Sequence, residues 1–512
     1  MSNRIYFRYF ILLFFAILWL SVSVQPGAAA PLTEETHVYL PSIFGGNGAA
    51  TTTVTPIPTT QPTPTPTPQP TPVVVQEGRF VESQWKTSDA VMRIDGAGGQ
   101  HVAYYYYEAK NGAAPDAAVY SYCPSQCDDN AQWHSLHLAA NQNVYEVQLQ
   151  LTPSGKPRLL IVTGRSDGII GRKFFYAACD TNCTSLSGWS LTFVHDNELR
   201  WGRDVLSDEL PQRYFALDPQ GRPRFFYADD NNSNYGEFYV FCDSQCDRTE
   251  SWQQTRIDRE QESPYRQDNI YYPSLTFTSD GRPRLVSAEF YSLDEDYNSY
   301  LAYFECNADC DRTESWQRVK LMSRGSGPQP SADLALDGDN QPRIAFYQEA
   351  ELNGEGSRLF YLWCNEECLK AENWQHLDLG LGYGIGQEPD LALDPAGHPR
   401  IAYANDEQGS VGYAWCDAAC DTADAQWKNE TLEDGDVLYH DWPVAYPLHC
   451  DGGIWATLTP TLVFSPTGNP MLAYDAAYWA RCWYDDTTDT YPPDSVMHMI
   501  KRAVRILSFP QP

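Results

Sequence analysis

Along most of the chain, apolar and polar residues alternate in short runs broken by turn-forming residues. Leu391-Ala-Leu-Asp-Pro-Ala-Gly-His-Pro-Arg-Ile-Ala-Tyr403 is the clearest stretch. Leu391 and Leu393 flank Ala392, Asp394-Pro-Ala-Gly397 supplies a turn, and Ile401 and Tyr403 resume the alternation. That order predicts a strand, a tight turn and a second strand. Related strings stand at Pro153-Ser-Gly-Lys-Pro-Arg158, Asp218-Pro-Gln-Gly-Arg-Pro-Arg224, Asp280-Gly-Arg-Pro-Arg284, Asp337-Gly-Asp-Asn-Gln-Pro-Arg343 and Ser465-Pro-Thr-Gly-Asn-Pro470. A degenerate copy is Asp95-Gly-Ala-Gly-Gly-Gln-His101. The spacing is roughly sixty residues, and self-similarity at a fixed period marks a repeat architecture.

Each repeat carries a second signature, two cysteines in a Cys-x-x-x-Cys string followed by a tryptophan. Cys123 and Cys127 precede Trp133, Cys179 and Cys183 precede Trp189, and Cys242 and Cys246 precede Trp252. Cys306 and Cys310 precede Trp316, and Cys364 and Cys368 precede Trp374. The sixth set, Cys416 and Cys420 with Trp427, is one residue longer. Tyr120, Tyr176, Tyr239, Tyr303, Tyr361 and Tyr413 each stand three residues before the first cysteine. One unit thus holds four strands: a runs into the Asp-Pro-x-Gly turn, b carries Pro-Arg, c ends at the first cysteine, and d starts near the tryptophan. No stretch has helical periodicity with caps. Four-stranded units repeated about an axis make an all-β propeller, here with seven blades. Closure needs the chain ends to meet, and residues 79–85 are expected to supply the outer strand of the last blade against residues 496–509. A closed ring leaves no exposed sheet edge.

Charge narrows the partners. Asp plus Glu number 67 against 35 Lys plus Arg, a net charge of −32. Nucleic acid and anionic membrane surfaces are bound mainly by cationic side chains, so neither is expected. Aromatic residues make up 13% of the chain, more than a disordered chain carries.

The N-terminal part reads differently. Arg4 and Arg8 precede an apolar run over residues 10–24, then Gly27-Ala-Ala-Ala30, the layout of a secretory signal peptide. Residues 1–30 are assigned to it, with cleavage after Ala29 because Pro31 disfavours a cut before it; an uncleaved anchor is the alternative. Residues 31–76 are read as a linker, dominated by Thr and Pro over 51–72 and extended like polyproline. Within it, Val38-Tyr-Leu-Pro-Ser-Ile-Phe44 has no assigned role. The propeller occupies 77–512. The expected product is a secreted or cell-surface monomer without a later membrane span.

In an exported chain, paired cysteines are expected to form disulfides. The six Cys-x-x-x-Cys pairs should bridge internally, since neither a redox helix nor a four-ligand zinc arrangement accompanies them. Cys450 and Cys482 are expected to join each other, stitching the loop that leads into blade seven to that blade's b–c loop. Acidic clusters such as Asp294-Glu-Asp296 and Asp485-Asp486 offer oxygen ligands, but no loop follows the Asp-x-Asp-x-Asp-Gly pattern. No cofactor is predicted; calcium is the one metal left open.

The Asp-x-x-Gly-x-Pro-Arg-Ile-Ala-Tyr repeats resemble secreted bacterial β-propellers of the broad sialidase-like class, over residues 77–512. In sialidases the c–d turn carries a Ser-x-Asp-x-Gly-x-x-Trp box. Here the disulfide motif stands in that place and keeps only the tryptophan. No Phe/Tyr-Arg-Ile-Pro motif marks a first catalytic arginine. The resemblance therefore implies the fold, while these departures remove the sialidase signature.

The a–b and c–d turns share one face and are uniform. The d–a and b–c connections share the other and vary, and function concentrates on variable loops held by a rigid scaffold. The long connections 195–212, 258–272 and 431–460 lead into blades three, four and seven, and the loops entering these blades supply the candidate ligand-binding residues Trp201, Arg203, Arg213, Tyr265, Arg266, His440, Asp441 and Trp442. Grouped guanidinium groups suit carboxylate or sulfate, and aromatic rings suit sugar faces. The expectation is a non-catalytic module that binds an extracellular glycan, preferably acidic, or a cell-surface protein. The alternative is a glycan-processing enzyme, a sialidase-like hydrolase or a polysaccharide lyase, although no carboxylate pair is marked by a motif.

Overall fold

The computed structural model describes residues 79–80, 87–106, 117–139, 143–164, 171–198, 213–229, 236–257, 269–293, 296–323, 331–348, 357–381, 385–405, 409–441, 450–482 and 496–511. The expectations for residues 1–76 fall outside these. The described strands form seven four-stranded antiparallel sheets. Six follow the chain directly, from Thr87–Ile94 through Lys428–Glu433. The seventh joins Cys450–Phe464, Pro470–Cys482 and Val496–Ser508 to Arg79–Phe80 from the other end of the chain. Arg79 lies opposite Ile506 and Phe80 opposite Arg505, so the ring closes between its two ends. Of the expected closing strand 79–85, residues 81–85 lie outside the described residues.

The repeated sequence motifs turn out to be fasteners. The turn-opening Asp394 accepts from the backbone N–H groups of Ala396 and His398, fixing the turn that Gly397, at φ 85°, completes. The arginine after proline then ties the a–b turn to the c–d turn. Arg224 donates to the Cys242 carbonyl at 2.5 Å, to Asp243 at 2.6 Å and to Asp218 at 3.1 Å. Arg343 does the same with the Cys364 carbonyl, Asn365 and Asp337. In blade one the position is His101, which keeps the turn-opening aspartate, Asp95, at 3.3 Å and shares a second hydrogen bond with the Tyr120 hydroxyl.

The six short disulfides form as expected. Cys123 bonds with Cys127, Cys179 with Cys183, Cys242 with Cys246, Cys306 with Cys310, Cys364 with Cys368, and Cys416 with Cys420. The tryptophan that follows then locks each turn, its indole N–H donating to the second cysteine's carbonyl. Trp133 reaches Cys127 at 3.0 Å, Trp189 reaches Cys183 at 3.0 Å and Trp252 reaches Cys246 at 3.1 Å. Trp316 reaches Cys310 at 3.0 Å and Trp374 reaches Cys368 at 2.7 Å. Blade six departs from this pattern. Its extra residue carries Trp427 past the carbonyl of Cys420, and among the described residues the buried indole N–H meets no acceptor.

The indole ring also packs edge-on against the preceding blade's tyrosine: Tyr120 with Trp189, Tyr176 with Trp252, Tyr239 with Trp316 and Tyr303 with Trp374, at 4.8–5.2 Å. Phe509 fills that place in blade seven, against Tyr413. The apolar core therefore lies between blades, not along the axis.

Three expectations need correction. The long connection 431–460 is largely structured, because the outer strand Lys428–Glu433 runs into it, the short helix Gly435–Asp441 follows and the next strand starts at Cys450. Leu438 of that helix is buried against Trp455 and Tyr478, which is what holds it. The chain is thus not wholly without helix, and short 3₁₀ turns also precede five of the outer strands. Cys450 and Cys482 do not sit in loops: they are register partners at the ends of two paired strands. Their side chains lie outside the described residues.

Candidate functional site

The inner strand of each blade lines the axis, and its polar residues recur at fixed offsets from the turn. Four residues before the turn-opening position stand Gln148, Ser274, Asp333, Asp390 and Thr461; six before it stand Asp89, Glu146, Ser331, Glu388 and Thr459. All ten are buried. Buried polar groups must find partners, and here most of them come from an adjacent blade, although Gln148 donates to Glu146 of its own strand. Leu334 N–H donates to Ser274 Oγ at 3.2 Å, Leu391 N–H to Asp333 at 2.8 Å and Leu462 N–H to Asp390 at 3.0 Å. Thr461 closes the step to blade one by donating to the Ala90 carbonyl.

A second tier sits nearer the variable face. Asp89, Glu388 and Thr459 have φ values of 56°, 50° and 51°, the left-handed region that side chains with a Cβ disfavour. Each lies at a break in strand register, a bulge that turns its N–H away from its own ladder. Those N–H groups go to the blade before: Glu388 to Ser331 Oγ, Thr459 to the Glu388 carboxylate and Asp89 to Asp475 at 2.6 Å. Asp475 also takes Arg502 at 2.7 Å.

Two arginines occupy the middle. Arg213 reaches across from blade three to the carbonyls of Pro389 at 3.0 Å and Pro460 at 3.1 Å. It pairs with Asp390 at 3.2 Å and with Asp333 at 3.7 Å. Burial pulls its pKa down, yet the two aspartates outweigh that and raise it overall. Arg93 donates to Gln150 and to the Met92 carbonyl, and its burial lowers its pKa. Asp390 is pushed up to about 6, by burial first, with Arg213 working against the rise and Asp333 adding to it.

Of the eight expected ligand residues, Arg213 stands at the axis with its donors committed to protein. His440 is exposed on the helix Gly435–Asp441, which Asp441 ends. Trp201, Arg203, Tyr265, Arg266, Trp442 and the Asp441 side chain lie outside the described residues, and no grouping of the eight can be read. The twelve cysteines of the short bridges sit in the c–d turns of the uniform face, away from these connections, and serve structure alone. The axial residues Arg93, Asp333, Glu388, Asp390 and Asp475 were missed. For Asp333 and Asp390 the signal was a charged residue at a constant offset inside an otherwise apolar inner strand, as in Ala332-Asp-Leu-Ala-Leu336 and Pro389-Asp-Leu-Ala-Leu393; Asp475 lies on blade seven's second strand, Pro470–Cys482, where no repeat marks it. Among the described residues, no group of three His, Cys, Asp or Glu side chains is placed to hold a metal ion, and no helix is long and apolar enough to cross a membrane.

No family model matches the chain, and no curated protein does. Several solved structures are similar to the chain. An α-L-arabinanase of Penicillium chrysogenum, complexed with arabinobiose, is 15% identical with a TM-score of 0.44, over 65% of this chain and 94% of that one. The GH93 α-L-arabinofuranosidase of Fusarium graminearum is 12% identical at 0.44, over 65% and 93%. The NanB sialidase of Streptococcus pneumoniae is 10% identical at 0.40, over 85% and 71%.

Proposed function

We propose that the chain is an exported propeller that binds an extracellular carbohydrate on its variable face and does not turn it over. One observation carries this reading. The buried carboxylates of Asp333, Glu388, Asp390 and Asp475 each hold a backbone N–H group of a neighbouring blade, whereas glycoside hydrolysis needs two carboxylates presented to substrate. Recognition then falls to the loops, with Trp201, Tyr265, His440, Asp441 and Trp442 as contacts and Arg203 and Arg266 as the source of a preference for acidic sugars. Arg213 contributes by tying the inner strands of blades five, six and seven together.

The second reading, a hydrolase or lyase, is favoured by Asp390, whose raised pKa is of the kind general acids use. A glycan array on the purified chain, with and without EDTA, followed by product analysis of every sugar bound, separates the two. Binding without release of reducing ends or unsaturated products, retained in Asp390→Asn, supports the binding module. Cleavage that Asp390→Asn abolishes establishes the enzyme instead. The Arg203→Ala/Arg266→Ala double variant should lose acidic glycans while melting at the same temperature.

A further inference from the structure

The outer strands of blades one to six share one layout, so a departure stands out. Counting on from the tryptophan of each c–d turn, the third residue lies opposite the blade's own tyrosine, as Leu136 does to Tyr120 and Thr192 to Tyr176. That tyrosine packs on the next blade, so the second and fourth residues turn toward the preceding one. In five of these blades both are polar, from Ser135 and His137 in blade one to Asn429 and Thr431 in blade six, the usual protection of an outer strand. In blade two they are Leu191 and Phe193, 49% and 37% exposed. Leu186, on the short turn before that strand, is 57% exposed, where blades three and four carry Thr249 and Thr313. These are three of the five large apolar side chains that stand exposed among the described residues.

All three belong to the seam between the outer strands of blades one and two. Phe193 packs edge-on against Phe175, and the half-buried Leu136 of blade one turns to the same seam. The turn Leu186–Gly188 lies beside blade one's outer strand, His134–Leu138. The Phe193 carbonyl accepts from the Thr249 hydroxyl of blade three at 2.7 Å, so the seam offers side chains and not a free strand edge there. The strip is also uncharged: residues 130–145 and 181–194 contain no Asp, Glu, Lys or Arg. The other five c–d turns hold two or three carboxylates each, whereas blade two's holds Asp180 alone, paired with Arg158 at 2.6 Å.

We propose that this strip is where a second copy of the chain docks, giving a weak two-fold dimer. Exposed apolar patches mark interfaces, and the centre of an interface is poor in charge. On a chain of net charge −32, copies that approach through the acidic turns set carboxylate against carboxylate. An uncharged apolar strip that meets itself across a two-fold axis avoids this, and two-fold pairing is the commonest association of like chains. The monomer expected from the sequence is then one side of an equilibrium, whatever the variable face binds.

The test is sedimentation velocity of the full chain over a concentration series, at low and high sodium chloride. A patch of this size gives a dissociation constant on the order of 10–100 μM. Raising salt from about 0.05 to 0.5 M should tighten the dimer, because it screens the repulsion between the two acidic bodies and leaves apolar contact intact. Leu191→Ser with Phe193→Ser should weaken it at least about tenfold, with little change in melting temperature because both side chains are exposed. Leu186→Glu, which leaves the strand untouched, should also weaken it by bringing two carboxylates together. Val437→Ser, exposed elsewhere on the helix Gly435–Asp441, should not. A monomer at every concentration and salt overturns the proposal. So does a dimer that survives both strip variants, or one that loosens as salt rises.

Discussion

Arg505 of blade seven is almost completely buried, and both of its bonds to Glu433 of blade six are 2.6 Å long. The Tyr474 hydroxyl adds a third bond to that carboxylate at 2.5 Å. Replacing Arg505 by Met leaves a buried charge without its partner, so stability should fall by about 3–5 kcal/mol, measured by urea unfolding; replacing Glu433 by Leu as well should recover part of it. Asp390 gives a pH test. Its folded pKa, about 6, lies above the ordinary 3.8, so the folded state holds the proton more tightly. Its contribution favours folding at low pH and is lost as pH rises from the ordinary value through about 6. The melting temperature of the wild type relative to Asp390→Asn should therefore drop between pH 4 and pH 6.5 and level off above. Neither group stood out in the sequence. Glu433 and Arg505 are 72 residues apart, and only the closing of blade six onto blade seven makes them neighbours.

At the scale of the element, the a–b hairpin and its disulfide act as one unit through the arginine between them. Lysine at position 224 cannot serve the Cys242 carbonyl, Asp218 and Asp243 together, because an ammonium lacks the planar fork. Arg224→Lys should thus cost about 1.5–3 kcal/mol by denaturant titration, despite the retained charge. Removing one disulfide, as in Cys242→Ser with Cys246→Ser, should cost about 2 kcal/mol, since so short a loop constrains the unfolded chain only modestly. These strands were legible because alternation, turn residues and cysteine spacing are local properties. The partners of the tyrosines and of Arg224 were not, because a repeat reveals that a position matters without saying which neighbour it meets. The variable connections were the least legible. The helix Gly435–Asp441 is only 7 residues long and is held by tertiary contact of Leu438, so it left no periodic trace.

For the whole molecule, the bond that matters is the one between chain ends. Thr461 reaches Ala90 across 371 residues, and Asp89 reaches Asp475 across 386. Deleting residues 1–86 removes Arg79–Phe80 and bares the edge of Val496–Ser508. Such a variant should aggregate on warming while the complete chain stays dispersed, as light scattering would record. The seven-fold repeat and its closing strand could be read from the sequence; the axial hydrogen bonds between blades could not, since each joins residues far apart in the chain. The six short disulfides bear on how such a chain becomes oxidised. Fourteen cysteines could pair wrongly in very many ways, but each of these bridges spans a sequence separation of 4, so each thiol meets its proper partner at a far higher effective concentration than any other. For these twelve cysteines correct pairing needs only local chain motion, so it can precede the docking of one blade on the next; Cys450 and Cys482, brought together by strand pairing, have no such head start.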